Sequence, residues 1–247
     1  MTGIISAMQE EIQALLNVLK NVATVKKGMR TYYQGTLFDQ SVVIAFSRWG
    51  KVASAATTTQ LINDYPLKEL IFTGVAGAIK NKLNIGDVVI GKNLFQHDMD
   101  ASPLFEQFEI PILKKKGIAT QDATDLIEAS KLFLSDYLSY ISINNSLEFN
   151  ITKPKVVYED IASGDQFISS LSKIKQLNQM LPTAFCVEME GAAVAQVCYE
   201  YQIPFSIIRI ISDNANENAT IDFPKFANTI ASNYALGILK KYFELKR

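Results

Sequence analysis

Short apolar runs that pass into helical patterns recur from one end of the chain to the other, and this alternation limits the fold more than any other feature. "TGIIS" reads as a strand leading into a helix over "AMQEEIQALLNVL". "TYYQGTL" and "SVVIAFS" read as a hairpin, "GKVASAATTTQLIND" as a helix, and "ELIFTGV" as a strand closed by the small-residue turn "AGA". "GDVVIGKNLF", "KVVYEDIAS" and "PFSIIRIISD" read as further strands, and "ATDLIEASKLFLSDYL" and "PKFANTIASNYALGILKKYF" as helices. "AFCVEMEGAAVAQVCYEY" passes from a strand into a helix. Strands alternating with helices predict an α/β layer fold with a mainly parallel or mixed sheet. Residues 98–118 and 142–154 are the predicted long loops. Neither resembles a linker and no internal repeat is visible, so residues 1–247 are expected to form one domain.

Composition removes several classes of function. An apolar fraction of 48% with 20% charged residues suits a globular protein with a sizeable core. The net charge is −1, and Lys114, Lys115 and Lys116 form a run too short for a nucleic-acid tract. No apolar run is long enough to span a bilayer, and "MTGIISAMQEE" lacks the pattern of a signal peptide. Cys186 and Cys198 stand alone, so a reduced, cytoplasmic protein is expected. The single histidine, His97, excludes a metal site built on several histidines. Beside Asp98 and Asp100 it reads as a structural loop residue.

The acids are placed less conventionally. In the first predicted helix Met8, Ile12, Leu15, Leu16 and Leu19 make an apolar stripe. Glu10 lines up with the polar Gln13 and Asn17, whereas Glu11 lines up with Leu15, Val18 and Leu19 and points toward the core. In "FCVEMEGAAVA", Glu190 lines up with Ala193, Val194, Val197 and Cys198, and Glu188 with Gly191, Ala192 and Ala195. A first turn favours one acid, because its backbone N–H groups are free. Two acids on close-packed faces ask for another explanation.

Along "PFSIIRIISD", Ile207, Arg209, Ile211 and Asp213 share one face of a strand. An arginine in such a run needs an acidic partner. Asp213 would stand about 13 Å away along a straight strand, so Glu11, Glu188 and Glu190 are the candidates. In open α/β sheets ligands bind beyond the carboxyl ends of the strands. The acids, "TGVAGA" and "SGDQF" are all placed to gather there. Such a cluster suits general acid–base chemistry and recognition of sugar hydroxyls. "TGVAGA" is neither GxGxxG nor GxxxxGK[ST], so it gives no sign of a dinucleotide or triphosphate.

"GIISAMQEEIQALL", "FTGVAGA", "IGDVVI", "SGDQFI", "VEMEGAAVAQVC", "PFSIIRIISDNAN" and "DFPKF" together resemble the 5′-methylthioadenosine/S-adenosylhomocysteine nucleosidases of the purine nucleoside phosphorylase superfamily. The resemblance runs in order along nearly the whole chain. It implies a three-layer fold with a twisted mixed sheet flanked by helices. It also implies hydrolysis of the bond between adenine and a 5′-thio-substituted ribose, without metal or other cofactor. On it, Asp213 is the general acid at adenine N7, held by Ser212, and Glu11 activates water with Arg209 nearby. Glu190 binds the ribose hydroxyls and Met189 packs on the sugar, with Glu188 beside them. Phe167 stacks on adenine and the Ile168 backbone reads its edge, next to the close-approach backbone of Val75, Ala76 and Gly77. Met8, Trp49, Met189 and Phe223 line the slot for the thio-substituent.

Two residues depart from the family pattern. Val75 stands where many members have serine, and Trp49 in "SRWGKV" where a smaller aliphatic residue is common. The stretch "HDMDASPLFEQFEIPILKKKG" also differs. In the family it lies near a dimer contact, so a homodimer is expected. Rival readings are a phosphate-dependent phosphorylase, a nucleosidase for futalosine-type or nucleotide substrates, and a binding protein that kept the fold.

Overall fold

The computed structural model describes residues 1–215 and 219–247; Asn216, at the end of the quoted "PFSIIRIISDNAN", lies outside them. In chain order the first half contains β1 (Thr2–Ser6), α1 (Gln13–Val18), β2 (Lys20–Lys27), β3 (Arg30–Leu37), β4 (Gln40–Phe46), α2 (Lys51–Asp64), β5 (Glu69–Ala78) and β6 (Val88–Gln96). There follow β7 (Gly117–Ala119), α3 (Thr124–Leu134), α4 (Ile143–Glu148), β8 (Val156–Ser163), α5 (Leu171–Met180), β9 (Ala184–Glu188), α6 (Gly191–Glu200), β10 (Phe205–Asp213), α7 (Ala219–Phe226) and α8 (Ser232–Leu245). The result is a mixed α/β fold with one sheet flanked by helices, as the alternation predicts.

β5 organises the sheet. Its first half lies between β1 and β10, both parallel to it, and its last two residues pair antiparallel with β9. From β10 the ladder continues through β6, β8 and β9 and returns to β5, so that half of the sheet closes on itself. The other half runs outward through β1, β4, β3 and β2. Both faces of the central strands are buried. Ile71, Val75, Ile208 and Ile210 face the layer holding α3 and α8, whereas Phe72, Ala76, Ile207 and Ile211 face the layer of α6.

Several local expectations change. "AGA" is no turn, because its hydrogen bonds go to β10 and β9 and the strand continues through it. The first helix begins at Gln13 rather than near Ala7, so Glu11 lies in the turn before it. The helix at "ATDLIEASKLFLSDYL" ends at Leu134 and is followed by a short 3₁₀ turn. The predicted loop 142–154 contains α4, whose Ser142 side chain accepts the Asn145 N–H. The terminal helix starts upstream of Pro224 and widens into a π-helical turn at Ala227–Ala231 before α8. A proline lacks the amide hydrogen that helical bonding needs, and a wide turn is one way to continue past it.

β2 and α5 escape the sequence pattern for a shared reason. β2 is an edge strand with almost every residue exposed, so no apolar alternation marks it. Its lysines also blunt the edge against further pairing. α5 buries only Leu177 and is recognised by its Ser170 cap rather than by a stripe.

Candidate active site

The ends of β1, β5, β9 and β10 meet at one edge, and a cleft opens there. Its wall includes Met8, Glu11, Trp49, Val75, Ala76, Gly77, Phe167, Ile168, Glu188, Met189, Glu190, Ser212, Asp213 and Phe223. These are all the residues expected from the sequence except Arg209, which lies buried beneath the wall. Ala7, Gln166 and Val187 also line the cleft and were not singled out, although each lies in or beside a recognised stretch.

Asp213 is brought to the cleft by a break in strand regularity. The β10–β5 register shifts between Ile211 and Asp213, so Asp213 comes to lie opposite Gly77. Such a bulge re-aims the side chain that follows it. Ser212 Oγ stands 2.7 Å from Asp213 Oδ2, and the Ala215 N–H donates to Oδ1 at 2.7 Å. A Cβ on residue 77 would fall 2.9 Å from Asp213 Oδ1, so only glycine leaves room for this carboxylate.

Glu11 is 2% exposed. The turn before α1 folds its carboxylate back onto the sheet. There it accepts the Ser6 hydroxyl, the Met8 N–H at 3.0 Å and the Val75 N–H at 3.0 Å. Burial raises its pKa, against the opposing pull of these bonds and of Arg209. Gly74 permits the approach, since a Cβ there would meet Glu11 Oε1 at 2.9 Å and Arg209 Nη1 at 3.2 Å.

Arg209 finds its partner in Glu188. Nη2 donates to Glu188 Oε2 at 2.6 Å and Nε to the same oxygen at 3.2 Å. The guanidinium also lies 4.1 Å from the centre of the Phe72 ring. Glu188 further accepts the Ser163 hydroxyl and the N–H groups of Glu190 and Gly191, the latter at 2.8 Å. It therefore closes the amino end of α6 as well as neutralising the arginine. Its oxygens are occupied by protein donors, which makes it a support for the site.

Glu190 faces a different environment. Its Oε1 accepts the Gly50 N–H at 2.8 Å. Burial, and then the charge of Glu188, push its pKa up to about 8. Gly50 has φ +92°, and the next amide, Lys51 N–H, donates to Asp165 Oδ1 at 2.8 Å. The loop before α2 thus connects Glu190 to the segment carrying Phe167. Trp49 meets Phe223 edge-on at 5.9 Å, and Phe223 meets Phe167 edge-on at 5.9 Å. This aromatic row forms one wall of the cleft.

His97 is buried and packs against Gly164, where any Cβ would collide with its ring. Burial lowers its pKa. It is absent from the cleft wall.

The Phosphorylase superfamily model matches residues 2–244, and the chain belongs to that family. A 5′-methylthioadenosine/S-adenosylhomocysteine nucleosidase from Staphylococcus aureus is 36% identical over 94% of both chains. The crystal structure of such a nucleosidase from Colwellia psychrerythraea, in complex with adenine, matches 99% of this chain and 95% of its own with a TM-score of 0.86 and 30% identity. A futalosine hydrolase from Helicobacter pylori matches 99% of this chain and 97% of its own, with a TM-score of 0.82 and 31% identity.

Proposed function

We propose that this protein hydrolyses the N-glycosidic bond of 5′-methylthioadenosine, S-adenosylhomocysteine or both, releasing adenine and the 5′-thioribose. The relatives above support the reaction class. The observation that carries the reading is the placement of Asp213, Glu190 and Glu11 around one cleft, each on a different strand end or turn. Asp213, held by Ser212, gives a proton to adenine N7 as the C1′–N9 bond breaks and its electron pair passes into the ring. The ribosyl group becomes oxocarbenium-like, and the surrounding carboxylates favour that positive charge. Glu11 takes a proton from water as the water oxygen bonds to C1′. A raised pKa brings Glu11 nearer the neutral range in which a general base works best. Glu190 binds the ribose hydroxyls, Met189 packs on the sugar and Phe167 stacks on the base. Arg209 acts from below, by holding Glu188 and the start of α6. The absence of arginine and lysine from the cleft wall, among the described residues, supports water over phosphate as the acceptor.

The test is adenine release from 5′-methylthioadenosine by purified protein, in phosphate-free buffer and again with phosphate. Phosphate-independent release that Asp213→Asn abolishes is expected. Release only with phosphate would replace this reading with a phosphorylase. The likeness to a futalosine hydrolase supports a second reading, a related nucleosidase with a larger 5′ group, which the same assay with other nucleosides resolves.

The chain is further proposed to work as one domain, as a homodimer and in the cytoplasm. Leu104, Phe105 and Ile112, exposed on the segment 98–118, support an apolar contact with a second copy. Sedimentation at micromolar concentration should report a dimer. No helix among the described residues is long and apolar enough to cross a membrane.

A further inference from the structure

The turn "SRWGKV" contains a residue that the mechanism above does not use. Arg48 has φ +75°, a left-handed conformation. For a residue with a side chain this conformation is strained, and glycine would adopt it freely. An arginine kept there asks what its side chain does. Nη2 donates to the Met29 carbonyl at 3.0 Å, and Nη1 lies 3.7 Å from Met29 Sδ. Arg30, next to Met29, donates from Nη2 to the Ala53 carbonyl at 3.2 Å, and its Nε is buried with no hydrogen-bond partner. Among the described residues neither guanidinium forms an ion pair. Of the acids on this side, Asp64 pairs with Lys27 and Asp98 with Lys51, and Asp165 accepts the Lys51 N–H at 2.8 Å.

The strand register locates this pair of cations. β3 begins at Arg30 where the antiparallel β4 ends at Phe46, and β4 ends level with β1, whose last residue is Ser6. Both arginines therefore stand at the edge of the sheet that carries the cleft, on the side of Trp49. Trp49 lines the cleft, yet is 54% exposed, so it forms rim as well as wall. A substituent leaving the cleft along this wall would cross an apolar ring and then meet two guanidiniums that, among the described residues, form no ion pair.

We propose that Arg48, assisted by Arg30, is a specificity-determining residue that binds a carboxylate at the far end of the 5′ substituent, with the Trp49 ring covering the apolar stem between. This rests on the nucleosidase reading above. Guanidinium suits a carboxylate because it offers paired N–H donors.

The experiment compares two 5′-alkylthioadenosines of equal chain length, one ending in a carboxylate and the other in the matching carboxamide. 5′-Methylthioadenosine is assayed beside them. The wild-type protein should favour the carboxylate over the amide by about three- to tenfold in kcat/KM, through KM. The preference should shrink as salt rises. Arg48→Gly, which suits the backbone at φ +75° and so folds, should bring the ratio close to one, and Arg48→Lys should retain part of it. Equal kcat/KM for the two analogues in the wild type overturns the inference. So does a preference untouched in both Arg48→Gly and Arg30→Gln. If 5′-methylthioadenosine is hydrolysed while the preference is absent, the inference alone fails. If none of the three is hydrolysed, the nucleosidase reading fails and takes this inference with it.

Discussion

Glu69 and Glu190 lie at opposite ends of the sheet, and the protein surrounds them in opposite ways. Glu69, at the start of β5, receives the Thr2 hydroxyl at 2.9 Å, the Tyr242 hydroxyl at 2.7 Å and the Lys246 ammonium at 2.9 Å. Burial alone would raise its pKa, but the Tyr242 bond and Lys246 lower it below the ordinary value. Glu190 is more deeply buried, accepts one backbone N–H among the described residues, and stands near a second carboxylate. Its pKa rises to about 8. One end of the molecule uses an acid to tie the terminal helix to the sheet. The other holds an acid short of partners, which is the condition a ligand can relieve.

The largest effect expected from this contrast is kinetic. Glu11→Gln keeps the shape of the buried group and removes the base, and should lower kcat for adenine release by about 10²- to 10⁴-fold. The melting temperature should change little or rise. A variant as active as the wild type would remove Glu11 from the chemistry.

The next effect is on stability. Arg209→Met leaves Glu188 buried without its cation, which should cost about 3–5 kcal/mol in chemical denaturation. Adding Glu188→Gln should recover part of the loss, because the uncompensated charge is gone. Full additivity of the two changes would show that the pair is not coupled.

The pH dependence separates the two ends directly. The folded protein holds a proton on Glu190 that the unfolded chain releases, so stability from this group falls as pH rises from about 4.5 toward about 8. Glu190→Gln should flatten that slope. Glu69 has the opposite sign. Its contribution is present above the ordinary carboxylate value and is lost as pH falls through the lowered one. Glu69→Gln should therefore cost about 1 kcal/mol near neutral pH and nothing in acid, the smallest of these effects. Two variants with the same pH slope would erase the distinction between the ends.

Much of this arrangement is legible in the residues themselves. Glu11 and Arg209 betray themselves as charges on otherwise apolar faces, and both are buried. The requirement that Arg209 meet an acid also follows from sequence, but three acids satisfied it equally well on paper. The choice of Glu188 depends on the parallel pairing of β8 with β9, which sets Ser163 opposite Glu188, and on the closure of the sheet through β10. Gly50 and Ser163 gave no signal, because a backbone N–H and a lone hydroxyl look alike wherever they occur. β2 and α5 were illegible since they bury too little to leave a periodic trace.

By itself, the sequence determined the alternation of strands and helices, the burial of the acids and the edge where they gather. Those follow from local periodicity and from the cost of placing charge in an apolar run. Only the tertiary structure decided which acid is neutralised and which is left poised. That outcome depends on distances between residues far apart in the chain. Small shifts in strand register, such as the bulge before Asp213, change those distances by more than a hydrogen bond can span.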